Sequence, residues 1–414
     1  MPYGYNGRIL RVDLTKGTIS EENPPEEVYR RYMGGSALSL YFLLKEMKPK
    51  VDPLGPDNLL VFMSNVLSGL PMPGLTRYTV AARSPLTGGF GEAEAGGFWG
   101  PELKMAGFDG ILIHGCSPMP VYLWIKDGEA EIRDASNLWG KDTGEVQEGI
   151  REELGDKRIR VAQCGQAGEN QVRYACVVNE LKHANGRTGM GAVMGSKKLR
   201  AIAVRGTGKI STADSERVGE LRKEVVDAVP KSPMGHTFKK FGTPVFVMGL
   251  QNSGILPTRN FQEGRFEGAE AISADTMEKT VLEGPKGCYS CPILCKRTVK
   301  IEGKYAATPE YGGPEYETLG SLGSVCGIDN LEAVCHGNER CNRWGLDTIS
   351  TGMSIAFAME CTERGILTKE DTDGIDLRFG NTDGMLEMVR KIAFREGFGD
   401  MLAEGVQRAS RKIG

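Results

Sequence analysis

The opening NGRILRVDLTKGTI sets Leu10, Val12 and Leu14 against Ile9, Arg11 and Asp13, then turns at Thr15 to Gly17, the pattern of a β-hairpin. Apolar runs of strand length follow at NLLVFM, YTVAARS, GILIHG, VYLWIKDGEAEIRD and RIRVAQCG. Asp127-Gly128 divides the fourth of these by a two-residue turn. Few helical stretches precede residue 140, and LRAIAVRG closes the strand-rich part. The texture then changes. TADSERVGELRKEVVDAV begins on capping residues and repeats Val218, Leu221, Val225 and Val229 at helical spacing. NLEAVCHGNERCNRW, STGMSIAFAMECTERG, DGMLEMVRKIAFREG and GDMLAEGVQRASRK read as helices too. The expected class is α+β, with a β-rich domain over residues 1–210 and a mostly α-helical domain over 211–414.

A chain of 414 residues exceeds one compact core, and about 150 residues per domain agrees with two or more. Its 51 Lys and Arg balance 54 Asp and Glu to a net charge of -3, so no overall field draws it to nucleic acid or an anionic membrane. The longest apolar runs, LLVFM and GMSIAFAM, are far shorter than the ~20 residues of a membrane span. The N-terminus lacks the layout of a signal peptide, and the expected location is cytoplasmic.

GCYSCPILCKR, residues 287–297, holds Cys288, Cys291 and Cys295 as C-x-x-C-x-x-x-C. Core cysteines seldom crowd three to eight residues, and structural zinc sites usually pair two knuckles where this chain has one. A [4Fe-4S] cluster therefore fits the spacing better. Cys326, Cys335, Cys341 and Cys361 lie downstream as alternatives for a fourth ligand, and spacing does not choose among them.

Two segments are dense in glycine and carry an arginine: LTRYTVAARSPLTGGFGEAEAGGFWGPELK at 75–104 with Arg77, and HANGRTGMGAVMGSKKLRAIAVRG at 183–206 with Arg187. Gly189, Gly191 and Gly195 are followed by a strand rather than set between strand and helix, so a dinucleotide fold fails its context. No G-K-[ST] occurs either. One reading is a packed glycine turn. The other is a backbone closely approaching one anionic cofactor from two sides, with guanidinium groups for phosphate. His336 and Glu339 share a helical face as two ligand types for one metal, and GPEYE offers Glu315 and Glu317 as acid or base.

Taken together, GRILRVDLTKG, RYTVAARSPLTG, GGFWGPELK, AGFDGILIHG, EIRDASNLWGKDT, AGEN, GRTGMGAVMGSKKLRAIAV, CYSCPILC, GPEYE, GLDTISTG and REGFGDMLAEG resemble the tungsten-containing aldehyde ferredoxin oxidoreductase family over essentially the whole chain. The resemblance implies an aldehyde-oxidising enzyme with a bis-pterin holding tungsten or molybdenum, a magnesium ion, a [4Fe-4S] cluster and ferredoxin as electron acceptor. By position it places Arg77, Glu94, Gly96, His183, Ala184, Gly186 and Arg187 on the cofactor cradle, and Asn342, Leu346 and Asp347 where the helical domain meets a pterin. Cys288, Cys291 and Cys295 match cluster ligands, and Glu317 matches an active-site glutamate. Glu94, His183 and Asn342 stand where the family prototype has asparagine, arginine and aspartate. His336 and Glu339 reverse the order of the prototype's E-x-x-H pair, which binds an iron between subunits.

The resemblance also implies that the family's third domain, with its fourth cluster cysteine and a pocket histidine, is absent, as in a truncated or split enzyme. It leaves a homodimer or a separate C-terminal polypeptide as partners. Two other functions are a low-potential reductase of acids or acyl thioesters within a larger complex, and a noncatalytic fragment.

Overall fold

The computed structural model describes residues 3–414 and divides the chain into two compact units: residues 1–229 with 288–292, and residues 230–287 with 293–414. An α+β class is what the residues build.

Unit 1 holds two six-stranded sheets. The first contains β1 (Ile9–Asp13), β2 (Thr18–Glu22), β3 (Leu60–Ser64), β4 (Tyr78–Arg83), β5 (Phe90–Ala95) and β6 (Gly110–His114), in the order β2-β1-β6-β3-β4-β5. The second contains β7 (Val121–Lys126), β8 (Glu129–Asp134), β9 (Arg160–Cys164), β10 (Val177–Asn179), β11 (His183–Asn185) and β12 (Leu199–Arg205), in the order β11-β10-β9-β12-β7-β8. Each sheet has one parallel pair, β1 with β6 and β12 with β7. Leu10, Val12 and Leu14 sit in the core that the two sheets share, together with Phe62, Val80, Leu123, Val177 and Ile202. Alternation along β1 thus aims one side chain in two at the other sheet. Asp127 and Gly128 take positive φ values of 44° and 95°, the mirror-image turn that suits a right-twisted hairpin.

Helices before residue 140 are more numerous than the polar pattern predicts. Glu26–Tyr32 and Gly35–Glu46 cover the outer face of the first sheet, where Tyr29, Leu38, Phe42 and Leu43 pack on Val61, Ala81 and Leu112. Helix Trp99–Met105 lies within the shared core. In GSALSLYFLLKE apolar residues fall on more than one side, so no single stripe marks it as a surface helix.

Unit 2 is mostly helical. The expected helices occur as Leu331–Trp344, Thr348–Glu363 and Thr382–Phe394, started by the side chains of Asn330, Asp347 and Asn381, each accepting a backbone N–H of the first turn. GDMLAEGVQRASRK makes two helices, Phe398–Ala403 and Val406–Ile413, because Gly405 between them has φ 86°. A two-stranded ribbon, β13 (Leu282–Lys286) and β14 (Lys296–Val299), brackets the cysteine segment. Helix Ser215–Ala228 belongs to unit 1, and the units part at Val229–Pro230. Among the described residues no helix is long and apolar enough to cross a membrane.

Candidate active site

In unit 1 the site is a corner of backbone at the end of β5. Tyr78 of β4 pairs with Ala95, so Arg77 stands level with Gly96 just past the strand. The Arg77 carbonyl accepts from the Ser68 hydroxyl at 2.9 Å and from Asn65 Nδ2 at 3.3 Å, which fixes the main chain and leaves the guanidinium exposed. Gly96 and Gly97 are dictated by what lies against them. A Cβ on Gly96 would stand 2.8 Å from Cys288 Sγ and 4.0 Å from His183 Nδ1. Gly97 has φ 94°, and a Cβ there would stand 2.2 Å from Glu180 Oε2 and 3.0 Å from His183 Cδ2. The cysteine segment docks on this corner: the Tyr289 amide donates to the Gly97 carbonyl at 3.2 Å, and the Tyr289 ring meets Phe98 edge-on at 6.4 Å. Cys288, Cys291, Gly96 and His183 are thus parts of one unit, although nearly two hundred residues separate Gly96 from Cys288.

From His183 the second glycine segment runs back along β5. Ala184 pairs with Val178, Asn185 Nδ2 donates to the Ala93 carbonyl at 2.9 Å, and the Thr188 hydroxyl donates to the Glu92 carbonyl at 3.1 Å. Arg187 is exposed, one residue before the contact with Glu92, whereas Arg77 is level with Gly96. The two arginines therefore flank opposite ends of a four-residue stretch of β5, about 13 Å at the strand rise. The two readings of the glycines divide by residue. Gly189, Gly191 and Gly195 are packing glycines, since a Cβ on each would come within 2.1, 2.3 and 1.9 Å of the Arg173, Cys176 and Gly168 carbonyl oxygens. Gly186 faces open space, with nothing within 4 Å of its added Cβ. Glu94 is exposed on β5.

The residue that sequence reasoning missed is Glu180. Its Oε2 accepts from the Phe98 amide at 2.9 Å and from Asn179 Nδ2 at 2.7 Å, while Oε1 is buried without a partner. Asn179 in turn donates to the Gly96 carbonyl at 3.0 Å and accepts from the buried Tyr78 hydroxyl at 3.0 Å. Burial pushes the Glu180 carboxyl above the usual carboxylate range, against the Phe98 amide and the Arg160 guanidinium. Its partner Phe98 lies 82 residues away in sequence, and no local signal announces it.

In unit 2 the site is the stem that follows Cys295. Lys296 Nζ pairs with Glu315 Oε1 at 2.9 Å, and the Thr243 hydroxyl donates to the other oxygen of Glu315 while accepting the Tyr316 amide at 2.9 Å. Burial pushes the Glu315 carboxyl up, but Lys296 and Thr243 outweigh it and hold the group below its ordinary value. Arg297 is 2% exposed and donates to the Lys239, Lys240 and Leu294 carbonyls, so its guanidinium knots the stem. Glu317 is exposed on the short helix Tyr316–Thr318. Of GPEYE's two carboxylates, Glu315 is engaged structurally and Glu317 is open to solvent.

Asn342 donates to the Tyr311 carbonyl at 2.9 Å, Leu346 is buried, and Asp347 caps the next helix through the Ile349 amide at 2.9 Å and the Ser350 hydroxyl at 2.6 Å. His336 and Glu339 each bond to other groups. His336 Nδ1 lies 2.7 Å from the Ala306 carbonyl, while Glu339 takes the Thr308 amide at 2.5 Å and Arg343 Nε at 2.8 Å. Cys326, Cys335, Cys341 and Cys361 are buried in the helical core. Cys326 donates to the Ser321 carbonyl, and burial pushes its thiol up to about 12. These are packing thiols, poor candidates for a ligand thiolate.

The chemistry of the residues suits the implied cofactors. Cys288, Cys291 and Cys295 are half-exposed thiols, unlike the four downstream cysteines. Two exposed guanidinium groups, an open glycine at 186 and an unpartnered buried carboxylate oxygen offer donors, space and an acceptor to a polar anionic group. Among the described residues no three His, Cys, Asp or Glu side chains are gathered closely enough to hold a metal, so the thiols are placed on a loop rather than closed on one point.

Residues 9–206 match the family model of the aldehyde ferredoxin oxidoreductase N-terminal domain, and residues 220–414 match that of domains 2 and 3. This corrects the expectation that the family's C-terminal region is missing, since residues 220–414 represent it. The chain is 45% identical over 415 residues to a tungsten-containing aldehyde ferredoxin oxidoreductase of Pyrococcus abyssi, covering 99% of this chain and 68% of the relative. It is 42% identical to the protein of the same description from Pyrococcus furiosus, over 100% of this chain and 68% of that one. It is 34% identical to the WOR-like subunit of an aliphatic sulfonate oxidoreductase of the same organism, over 99% of this chain and 68% of the relative. Among solved structures, the active-site complex BamBC of benzoyl coenzyme A reductase with 1,5-dienoyl-CoA matches with a TM-score of 0.88 and 32% identity, over 100% of this chain and 64% of that one.

Proposed function

The chain belongs to the aldehyde ferredoxin oxidoreductase family of tungsten-containing oxidoreductases, and from that premise we propose that it oxidises an aldehyde with water to a carboxylate, two electrons leaving one at a time through a [4Fe-4S] cluster to ferredoxin. When bound, the metal-pterin group supplies Lewis-acid activation of the carbonyl and accepts the electron pair. The strand-rich unit 1 serves as its base and carries Cys288 and Cys291, and Cys295 follows in unit 2. Arg77 and Arg187 hold pterin phosphates by charge-assisted hydrogen bonds. Gly96, Ala184 and Gly186 supply close backbone, and Glu94 and His183 line the same edge with a magnesium ion. Within unit 2 the family resemblance assigns Asn342, Leu346 and Asp347 to pterin binding. Glu317, exposed as a carboxylate should be to meet substrate, accepts the proton released when water adds to the carbonyl. Glu315 is unsuited to that task because Lys296 and Thr243 occupy both its oxygens.

The observation that carries this reading is the Cys288 thiol seated on Gly96 beside His183. It supports the reading because a thiol assigned to the cluster lies against the backbone assigned to the pterin, as passing electrons from pterin to cluster would require. Elemental analysis of the purified protein should find tungsten or molybdenum together with iron, and aldehyde should reduce benzyl viologen. Cys288→Ser should lower the iron content and abolish the viologen reaction. Protein containing neither tungsten nor molybdenum would overturn the reading.

The likeness to the benzoyl coenzyme A reductase complex favours a second reading, low-potential reduction of an acyl thioester. Reduced viologen oxidised by an aromatic thioester, with no response to aldehydes, would select it.

A further inference from the structure

We infer that a groove between helix Gly35–Glu46 and the β4–β5 hairpin, wholly within unit 1, binds an amphipathic anion, a medium-chain aliphatic carboxylate. The groove encloses about 470 Å³, inside the range of roughly 300–1,000 Å³ usual for small-molecule sites. Leu40, Leu43, Leu44, Met47 and Val51 form its apolar wall, with Phe90 at the start of β5 opposite. Leu44 is 76% exposed and Phe90 44% exposed, so the rim keeps large apolar surface in water that an alkyl chain would cover.

The charged lining is of one sign. Lys48, Lys50 and Arg83 border the groove, and no carboxylate is among its lining residues. Glu46, the nearest acid on the helix, is turned to other use, since Arg11 pairs with it at 2.6 Å. Arg83 is held in place by donating Nε to the Gly88 carbonyl at 2.9 Å and Nη1 to the Val51 carbonyl. These bonds fix the guanidinium plane while Nη2 keeps its hydrogens for another acceptor, a preorganised end for a carboxylate. An apolar wall closed by cations alone selects a ligand with an alkyl body and one negative end. It disfavours an alkylammonium of the same length by like-charge repulsion.

Phe90 and Glu94 lie on the same face of β5, four residues apart, or about 13 Å. The groove therefore lies away from Glu94 and Gly96 and borders only the Glu92 end of the proposed cofactor edge, where Ser84 donates to the Thr188 carbonyl at 2.8 Å, and the inference does not rest on the proposed reaction. Isothermal titration of the full chain with decanoate should give saturable binding, and decylammonium should give none. Leu44→Glu and the double variant Lys48→Glu, Lys50→Glu change exposed positions and should each weaken decanoate by about tenfold or more. Viologen reduction and metal content should stay at the unmodified level in Leu44→Glu, which separates failure of this inference from failure of the proposed function. Equal binding of decylammonium, or decanoate affinity unmoved by both variants, would overturn it. So would absence of decanoate binding together with a dimer, seen by sedimentation, that Leu44→Glu dissolves: the face would then be a contact between copies.

Discussion

The glycine corner of unit 1 is held by Glu180 through neutral donors, the Phe98 amide and the Asn179 side chain, in a pocket too tight for a methyl group. The stem of unit 2 is held by charge, with Lys296 on Glu315 and the Arg297 guanidinium on three carbonyls. The environments push the two carboxyls in opposite directions, Glu180 above and Glu315 below the ordinary value. The first arrangement is rigid because backbone and side chain leave no slack, and it fails when volume is added. The second depends on ion pairs and fixed donors, and fails when a charge or a donor is removed.

The sharpest test of the difference is Gly97→Ala. The residue has φ 94° and its Cβ would stand 2.2 Å from Glu180 Oε2 and 2.6 Å from Asn179 Nδ2. Backbone strain and overpacking together should cost about 3–4 kcal/mol in urea unfolding, with the iron content falling too as the partner of Tyr289 shifts. A loss below about 1 kcal/mol would show that the corner yields and would break the comparison.

Arg297→Met is the matching test in unit 2. Methionine keeps much of the side-chain volume and removes every donor, leaving the carbonyls of Lys239, Lys240 and Leu294 without their partner. About 2–3 kcal/mol should be lost. Arg297→Lys should recover little of it, because one ammonium cannot span three acceptors as a planar fork does. Full recovery with lysine would mean that charge alone, and not the geometry of the donors, secures the stem.

These two regions also differ in how far the chain announces them. The thiol cluster of Cys288, Cys291 and Cys295 is visible in the spacing because three cysteines within eight residues are a local feature, and the capped helices of unit 2 are legible because caps and periodicity are local as well. Glu180 and its partner Phe98 are 82 residues apart, so nothing near Glu180 marks it; GPEYE draws attention to Glu315, but Thr243 lies 72 residues away and nothing local shows that Glu315 is the engaged carboxylate of the two. Strand β5, FGEAEA, is rich in residues that strands avoid. It is extended because β4 pairs with it along all six positions, and tertiary pairing overrides local preference there. Arg77, Gly96, His183 and Gly186 are reached through the family resemblance, and the structure shows why two of them differ in kind. Gly96 is a close approach to a thiol and Gly186 borders open space.

The smallest effect is the most discriminating, because it has opposite signs in the two units. Glu315 has a lowered folded value, so it adds stability that is fully present above its unfolded value near pH 4.3 and is lost as the pH falls through the folded one. Glu180 has a raised folded value, so the folded protein binds more protons than the unfolded chain once the pH exceeds about 4.3. Stability then declines as the pH rises toward the folded value. Urea unfolding between pH 3.5 and 8 should therefore show Glu315→Gln flattening the acid limb and Glu180→Gln flattening the decline on the other side of pH ~4.3. Glutamine preserves an acceptor oxygen for Phe98, so Glu180→Gln should also match or exceed the unmodified protein at pH 7. The Glu315 change should remain within about 1 kcal/mol, since the ion pair is partly open to solvent. If both variants moved the same limb, the two carboxyls would share one environment and the contrast between a neutral corner and a charged stem would fail.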